Sequence, residues 1–115
     1  MDNCIFCKIA KGGAPAKVLL ETDSVICFES IDPVAEKHIL IVPKKHIAHF
    51  GDISKEDRDI LFDMVLSAQK LVSDLGISGG YKLVFNAGKY QAIPHLHWHL
   101  LGGKMLDEKD VLNKT

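Results

Sequence analysis

Cysteine is scarce in this 115-residue chain, and the three present are an odd number. Cys4 and Cys7 form a C-x-x-C, and Cys27 stands alone between Ile26 and Phe28. That count argues against a disulfide framework. Charge of one sign is also missing. Fourteen Lys and Arg face fifteen Asp and Glu, a formal net charge of −1. A general nucleic-acid binder needs a basic patch to gather phosphates, so that class is excluded. Long apolar runs are absent too. Ile39 to Val42 falls far short of the ~18 residues of a membrane span. Met1-Asp2-Asn3-Cys4 shows no basic segment leading into an apolar run, so no signal peptide is expected. Repeats and low-complexity stretches are lacking as well. The expectation is a soluble, cytoplasmic protein with no membrane partner.

What is present is ordinary globular material, 47% hydrophobic and 25% charged. The length suits one domain over residues 1–115, able to bury about two-thirds of its unfolded surface. Lys11-Gly12-Gly13-Ala14-Pro15 ends a short N-terminal helical turn. Val18–Glu21 and Val25–Phe28 read as strands joined by the turn Thr22-Asp23-Ser24. After the turn Ile31-Asp32-Pro33, the run His38–Val42 reads as a strand covered on both faces. Ser54 is an N-cap, with Asp57 completing a near capping box. Ile60, Leu61, Met64, Val65, Ala68, Leu71, Val72 and Leu75 then form one helical stripe, stopped by Gly76. Tyr81–Asn86 is a further strand, and His95–Leu101 a last one ended by Gly102-Gly103. Lys104–Thr115 is a charged tail. Strands outnumber helices without alternating with them, which gives an α+β class with an antiparallel sheet.

The sharpest feature is His95-Leu96-His97-Trp98-His99. Alternate residues of a strand share a face, so the three histidines stand in a row. Leu96, Trp98 and Leu100 fill the other face. Three of the chain's six histidines are gathered here. An imidazole can donate, accept, bind metal or attack an electrophile, so such a row suits phosphorus chemistry or metal binding.

This segment resembles the signature of the histidine triad (HIT) family of nucleotide hydrolases and transferases. The likeness covers roughly residues 3 to 104, through Cys4–Ile9, Ala14–Val18, His38–His46 and Gly80–Asn86 in order. Leu101-Gly102-Gly103 resembles the histidine triad nucleotide-binding (Hint) branch more than the dinucleoside polyphosphate hydrolase branch. The resemblance implies a HIT fold, with a five-stranded antiparallel sheet, one long helix and one short helix. It also implies a homodimer joined through the long helix and the strand before Asn86.

The chemistry it implies is hydrolysis of purine nucleoside 5′-phosphoramidates or acyl-adenylates. His97 would be the nucleophile, attacking the α-phosphorus to form a nucleotidyl-histidine. His99 would contact the phosphoryl or leaving group and help protonate the departing amine. His38 would orient the triad. Asn86 and Gln91 fall on the substrate side near the phosphate. Ser30 takes the ribose position, and Phe6 and Ile31, with Ile5, Ile9 and Phe28, are candidates for a purine pocket. Cys4, Cys7, His46 and His95 match a zinc site held by some relatives, two thiolates and two imidazoles suited to a structural tetrahedron. His49 is read as a surface histidine without a role.

Three departures bear on specificity. Ser30 stands where relatives commonly carry an Asp that grips the ribose hydroxyls. Asp32 lies two residues on, but Pro33 follows it. Ala92 stands where relatives usually have Ser or Thr. The stretch from Asn86 to His95 is shorter than in close relatives. Two rival functions follow from the residues: a nucleotide-binding adaptor with little turnover, and a metal hydrolase with His95, His97 and His99 on one ion.

Overall fold

The chain enters its first helix through a cysteine. Cys4 is extended, and its sulfur accepts the Cys7 amide at 3.4 Å, closing the first turn of α1 (Ile5–Ala10). The computed structural model describes residues 3–106. Helix α1 unwinds at Gly12, whose φ of 77° is left-handed and suits glycine.

Five strands and one long helix follow: β1 (Val18–Glu21), β2 (Val25–Glu29), β3 (Ala35–Pro43), α2 (Arg58–Asp74), β4 (Tyr81–Val84) and β5 (Trp98–Met105). They form one antiparallel sheet in the order β1-β2-β3-β5-β4. The α+β class expected from the sequence is what the chain adopts. The β1–β2 turn is held by Thr22, whose hydroxyl oxygen accepts the Ser24 and Val25 amides. The hydroxyls of Thr22 and Ser24 in turn donate to Asp63 at 2.5 and 2.6 Å, latching the hairpin to α2.

Period-two alternation divides the core between the sheet's faces. Ile39, Ile41, Leu100 and Trp98 meet Met64, Ala68, Leu71 and Val72 of α2. Leu40 and Val42 point the other way and meet Phe6 of α1, with Ile26 and Phe28. Cys27, in the middle of β2, faces the α2 side and is fully buried. Burial, then the charge of Asp63, pushes its thiol up to about 12. No helix among the described residues is long and apolar enough to cross a membrane.

Several boundaries differ from the sequence reading, each for a local reason. Ser54 caps a turn as expected, but helix α2 begins at Arg58 rather than directly after that cap, because two 3-10 turns, Phe50–Asp52 and Lys55–Asp57, lead into it. The buried Asp57 carboxylate takes both the Ser54 amide at 3.0 Å and Lys45 Nζ at 2.6 Å. The Lys45 contact, then the Ser54 amide, holds that carboxyl below its usual range. Along α2, Val65 faces outward with Phe62 and Leu66, while Ser67 takes a buried position. Strand β4 stops at Val84, short of Asn86. Strand β5 starts at Trp98, later than His95, and runs through Gly102 and Gly103 instead of ending there. The pairing shifts here, since Ala35 faces Met105 but Lys37 faces Gly102. Gly103, at φ 72°, supplies the left-handed residue of this bulge. A Cβ on Gly102 would lie 2.6 Å from Ile77. Residues 107–115 of the expected tail lie outside the described residues.

Candidate active site

The histidine row is built across two strands. Residues 95–97 lead into β5 from a bend at His95, with the Leu96 amide bound to the Ile47 carbonyl at 2.6 Å. His99 sits opposite Leu40 of β3, and His38 opposite Leu101. All four side chains, His38, His95, His97 and His99, are buried.

Hydrogen-bond partners fix the protons. The His95 carbonyl can only accept, so His97 donates from Nδ1 at 2.6 Å. In the neutral ring that makes His97 Nε2 the lone-pair nitrogen. The Val34 amide can only donate, so His38 accepts at Nδ1, 3.1 Å away. His38 Nε2 then carries a proton and donates to His99 Nδ1 at 2.9 Å. Neutral His99 is thereby left with its proton on Nε2. The His97 and His99 rings stand 5.1 Å apart, centre to centre. Nε2 of a neutral His97 thus carries a lone pair and Nε2 of a neutral His99 an N–H, on neighbouring rings.

His95 is turned to a different task. Its Nε2 donates to the Pro43 carbonyl at 2.7 Å, so Nδ1 presents its lone pair to the cysteines. Cys4 Sγ is 3.2 Å and Cys7 Sγ 3.6 Å from that nitrogen, and Cys7 Sγ is 3.2 Å from His46 Nδ1. The four ligand atoms all lie within 4.8 Å of one another. Zinc bonds of ~2.0–2.3 Å arranged tetrahedrally space their ligands by about 3.3–3.8 Å, so this donor set fits the ion. The Pro43 carbonyl behind His95 is the orienting partner that metal-bound imidazoles commonly have. Burial first, and the charges of His46 and His97 after it, push the His95 imidazole down to about 4, against the pull of the Pro43 bond. It is therefore neutral, the form a metal requires. Nδ1 of His95, His97 and His99 each faces a different partner, so the row does not converge on a single ion.

A cleft of about 530 Å³ opens on the α1 face, among Ile5, Phe6, Ile9, Phe28, Ser30, Ile31, Asp32 and Ile93. Its size and apolar walls suit a nucleoside. The Phe6 ring, at its floor, stands edge-on to His97 at 5.1 Å, joining cleft to triad.

The chain as a whole is similar to known proteins. The family model described as scavenger mRNA decapping enzyme C-term binding matches residues 3–111. Protein HitA of Neisseria gonorrhoeae is 38% identical over 104 residues, 89% of this chain and 97% of HitA. The crystal structure of a HIT family hydrolase from Legionella pneumophila superposes with a TM-score of 0.86 at 42% identity, covering 91% of this chain and 96% of that one. The chain belongs to the histidine triad family. A histidine triad nucleotide-binding protein from Candida albicans is similar at 37% identity and a TM-score of 0.81, over 89% of this chain and 76% of that one.

Within the HIT frame, the substrate-side residues fall into two groups. Phe6, Ser30 and Ile31 line the cleft, with Ile31 fully exposed at its mouth. The Asp32 amide donates to Ser30 Oγ at 3.2 Å, so the carboxylate and the hydroxyl share one wall despite Pro33. Asn86, half-buried just beyond β4, and Gln91 are not among the cleft-lining residues. Gln91 spends its amide nitrogen on the carbonyls of Ala48 and Ile93 at 2.8 and 2.9 Å, clasping the loop before the triad. His49, given no role from sequence, lies 3.4 Å from Gln91 Oε1 and caps the first 3-10 turn with Asp52. Ile93 and the Pro43 carbonyl escaped the sequence reading. Neither a lone Ile nor a backbone oxygen leaves a compositional signal.

Proposed function

We propose that this chain is a nucleotide hydrolase that cleaves purine nucleoside 5′-phosphoramidates or acyl-adenylates through a nucleotidyl-His97 intermediate. The observation that carries the reading is the hydrogen-bond chain of the triad, Val34 N–H to His38 to His99 and His97 Nδ1 to the His95 carbonyl, which leaves Nε2 of a neutral His97 with its lone pair. The purine and ribose would occupy the cleft over Phe6, placing the α-phosphorus against His97. His97 Nε2 attacks phosphorus in line, and the bond to the leaving amine or acyl oxygen breaks. The His99 Nε2–H donates a hydrogen bond to the leaving atom, which takes its proton from solvent and departs, and His38 holds the His99 ring in place. Water then attacks the phosphorus, the bond to His97 breaks, the water's proton passes to solvent, and the nucleoside monophosphate leaves.

Cys4, Cys7, His46 and His95 would hold a structural Zn²⁺, tying α1 to the segments after β3 and before β5. A closed set of four protein ligands leaves no position for a reacting water, so the ion's contribution is to stability. A homodimer fits the outer apolar surface: Phe62 and Leu66 on α2, and Tyr81 and Leu83 on β4, which forms a sheet edge. A cytoplasmic setting remains the expectation from the sequence.

Ala92 favours one second reading. It is exposed and offers no hydroxyl near the phosphate, as an adaptor with slow turnover would tolerate. Incubation with adenosine 5′-phosphoramidate followed by intact-protein mass analysis separates the two. The hydrolase gives AMP and a transient adenylyl group on His97, whereas the adaptor leaves protein and ligand unchanged.

A further inference from the structure

Cys4 and Cys7 are the reactive groups that the proposed chemistry does not consume. They stand one helical turn apart at the start of α1, Cys4 half-buried and Cys7 buried, with their sulfurs within 4.8 Å. Phe6 lies between them in sequence, with its ring against His97 at 5.1 Å and His95 at 5.8 Å, and it forms part of the cleft. His95 makes the second link. Its ring faces both sulfurs, while its backbone carbonyl orients His97.

We propose that Cys4 and Cys7 form a hydroperoxide-sensitive dithiol whose closure to a disulfide disables the nucleotide site. Cys4, the more accessible, attacks one oxygen of the hydroperoxide. The O–O bond breaks, water or an alcohol departs, and Cys4 becomes a sulfenic acid. Cys7 then attacks the Cys4 sulfur, the S–S bond forms, and the sulfenic oxygen leaves as water. The two thiols lose two electrons and two protons, and the hydroperoxide takes them up. Where the sulfurs hold a metal ion as thiolates, the two protons come from solvent and the ion departs, since a disulfide offers it no anionic ligand.

Closure moves the site by geometry. The two sulfurs, one on the extended residue before α1 and one in its first turn, lie within 4.8 Å of each other, and a disulfide draws them to about 2.05 Å. A helix of six residues has little beyond its first turn to resist that change, and Phe6 is in that turn. The Cys4 sulfur also ceases to anchor His95, so both the ring against His97 and the carbonyl that orients it are displaced.

The nucleotide arm of this proposal rests on the function proposed above, and the test reads that arm separately. Purified protein of known zinc content is treated with hydrogen peroxide, then followed by intact and peptide mass analysis, free-thiol count, a zinc-responsive dye, imidazole NMR and AMP calorimetry. The expected product has lost two hydrogens, carries a Cys4–Cys7 bridge and retains the Cys27 thiol. Zinc appears in solution, the His97 ring signals shift, and AMP affinity falls by about tenfold or more. Dithiothreitol with zinc reverses all of these. The variant Cys7→Ser should stop at a Cys4 sulfenic acid that dimedone traps. If that variant does not fold, the wild-type peptide map carries the same information. Oxygen added to Cys4 with no bridge overturns the proposal. So does a bridge that leaves the His97 signals unchanged. A reduced protein that fails to bind AMP overturns the nucleotide reading instead, and the bridge and the ring signals still decide the switch.

Discussion

His95 supports His97 through its backbone and faces Cys4 and Cys7 with its side chain. The carbonyl takes the His97 Nδ1 proton at 2.6 Å, while the ring nitrogen lies 3.2 Å from the Cys4 sulfur. One residue therefore joins the cysteine cluster to the nucleophile, and five predictions explore that arrangement and its surroundings.

His97→Ala should abolish the adenylyl adduct and lower kcat by several orders of magnitude while AMP still binds. Single-turnover kinetics and calorimetry check this. A variant retaining more than about a tenth of the rate, a barrier change under ~1.4 kcal/mol, would remove His97 from its role.

His38→Ala deprives His99 Nδ1 of its 2.9 Å donor and frees the ring to take the other tautomer. Partners of this orienting kind are worth about 10–100-fold. The loss should fall on kcat with KM little changed, as steady-state kinetics would show.

Asp32→Asn should weaken AMP binding, and Ser30→Asp should strengthen it. Each change removes or adds a carboxylate on the cleft wall where the Asp32 amide meets Ser30 Oγ. One charge-assisted hydrogen bond is worth roughly 1.5–3 kcal/mol, about 10–100-fold in affinity. The same variants titrated with 2′-deoxy-AMP should show much smaller differences, because the contact is with ribose hydroxyls.

Stability of the metal-free chain should decline on mild acidification. The His95 imidazole is pushed down to about 4 in the fold, below the ordinary 6.5. Between those values the unfolded chain binds the extra proton, so stability rises with pH there and is lost as pH falls from 6.5 toward 4. The full window is worth on the order of 3 kcal/mol. Asp57, whose carboxyl is held below its usual 3.8, contributes losses only at lower pH still. Melting curves across pH would show the His95 step, and added Zn²⁺ at neutral pH should raise Tm.

Leu66→Glu should convert a dimer to a monomer by placing charge on the outer face of α2, where Phe62 and Leu66 are exposed. Sedimentation velocity measures this directly. A wild-type protein that sediments as a monomer would remove the dimer.

The sequence made the sheet and the two-faced histidine strand legible, because alternation along His95–Leu101 and His38–Val42 sorts side chains between two surfaces. Cys4, Cys7, His46 and His95 were traceable through donor chemistry and family likeness. What escaped was set by backbone atoms and by contacts distant in sequence. The Pro43 carbonyl decides the His95 tautomer, and no side-chain pattern encodes a carbonyl. Gln91 has the same composition whether it faces a phosphate or the carbonyls of Ala48 and Ile93. Gly102-Gly103 reads locally as a stop, yet Ile77 and the offset pairing with β3 turn it into a bulge inside a strand. The helix start moved because Lys55–Asp57 close a 3-10 turn beyond the Ser54 cap, and the same capping residues can open either kind of turn.

Cys27 gives the molecule an internal clock. Its thiol is enclosed between β1, β3 and α2, so a thiol-labelling reagent in solution reaches it only when that layer separates. Cys4, at the mouth of the short first helix, is exposed by a much smaller opening. Labelling the two cysteines side by side over time therefore measures two opening frequencies in one sample: fraying of the N-terminus at Cys4 and separation of the whole core at Cys27.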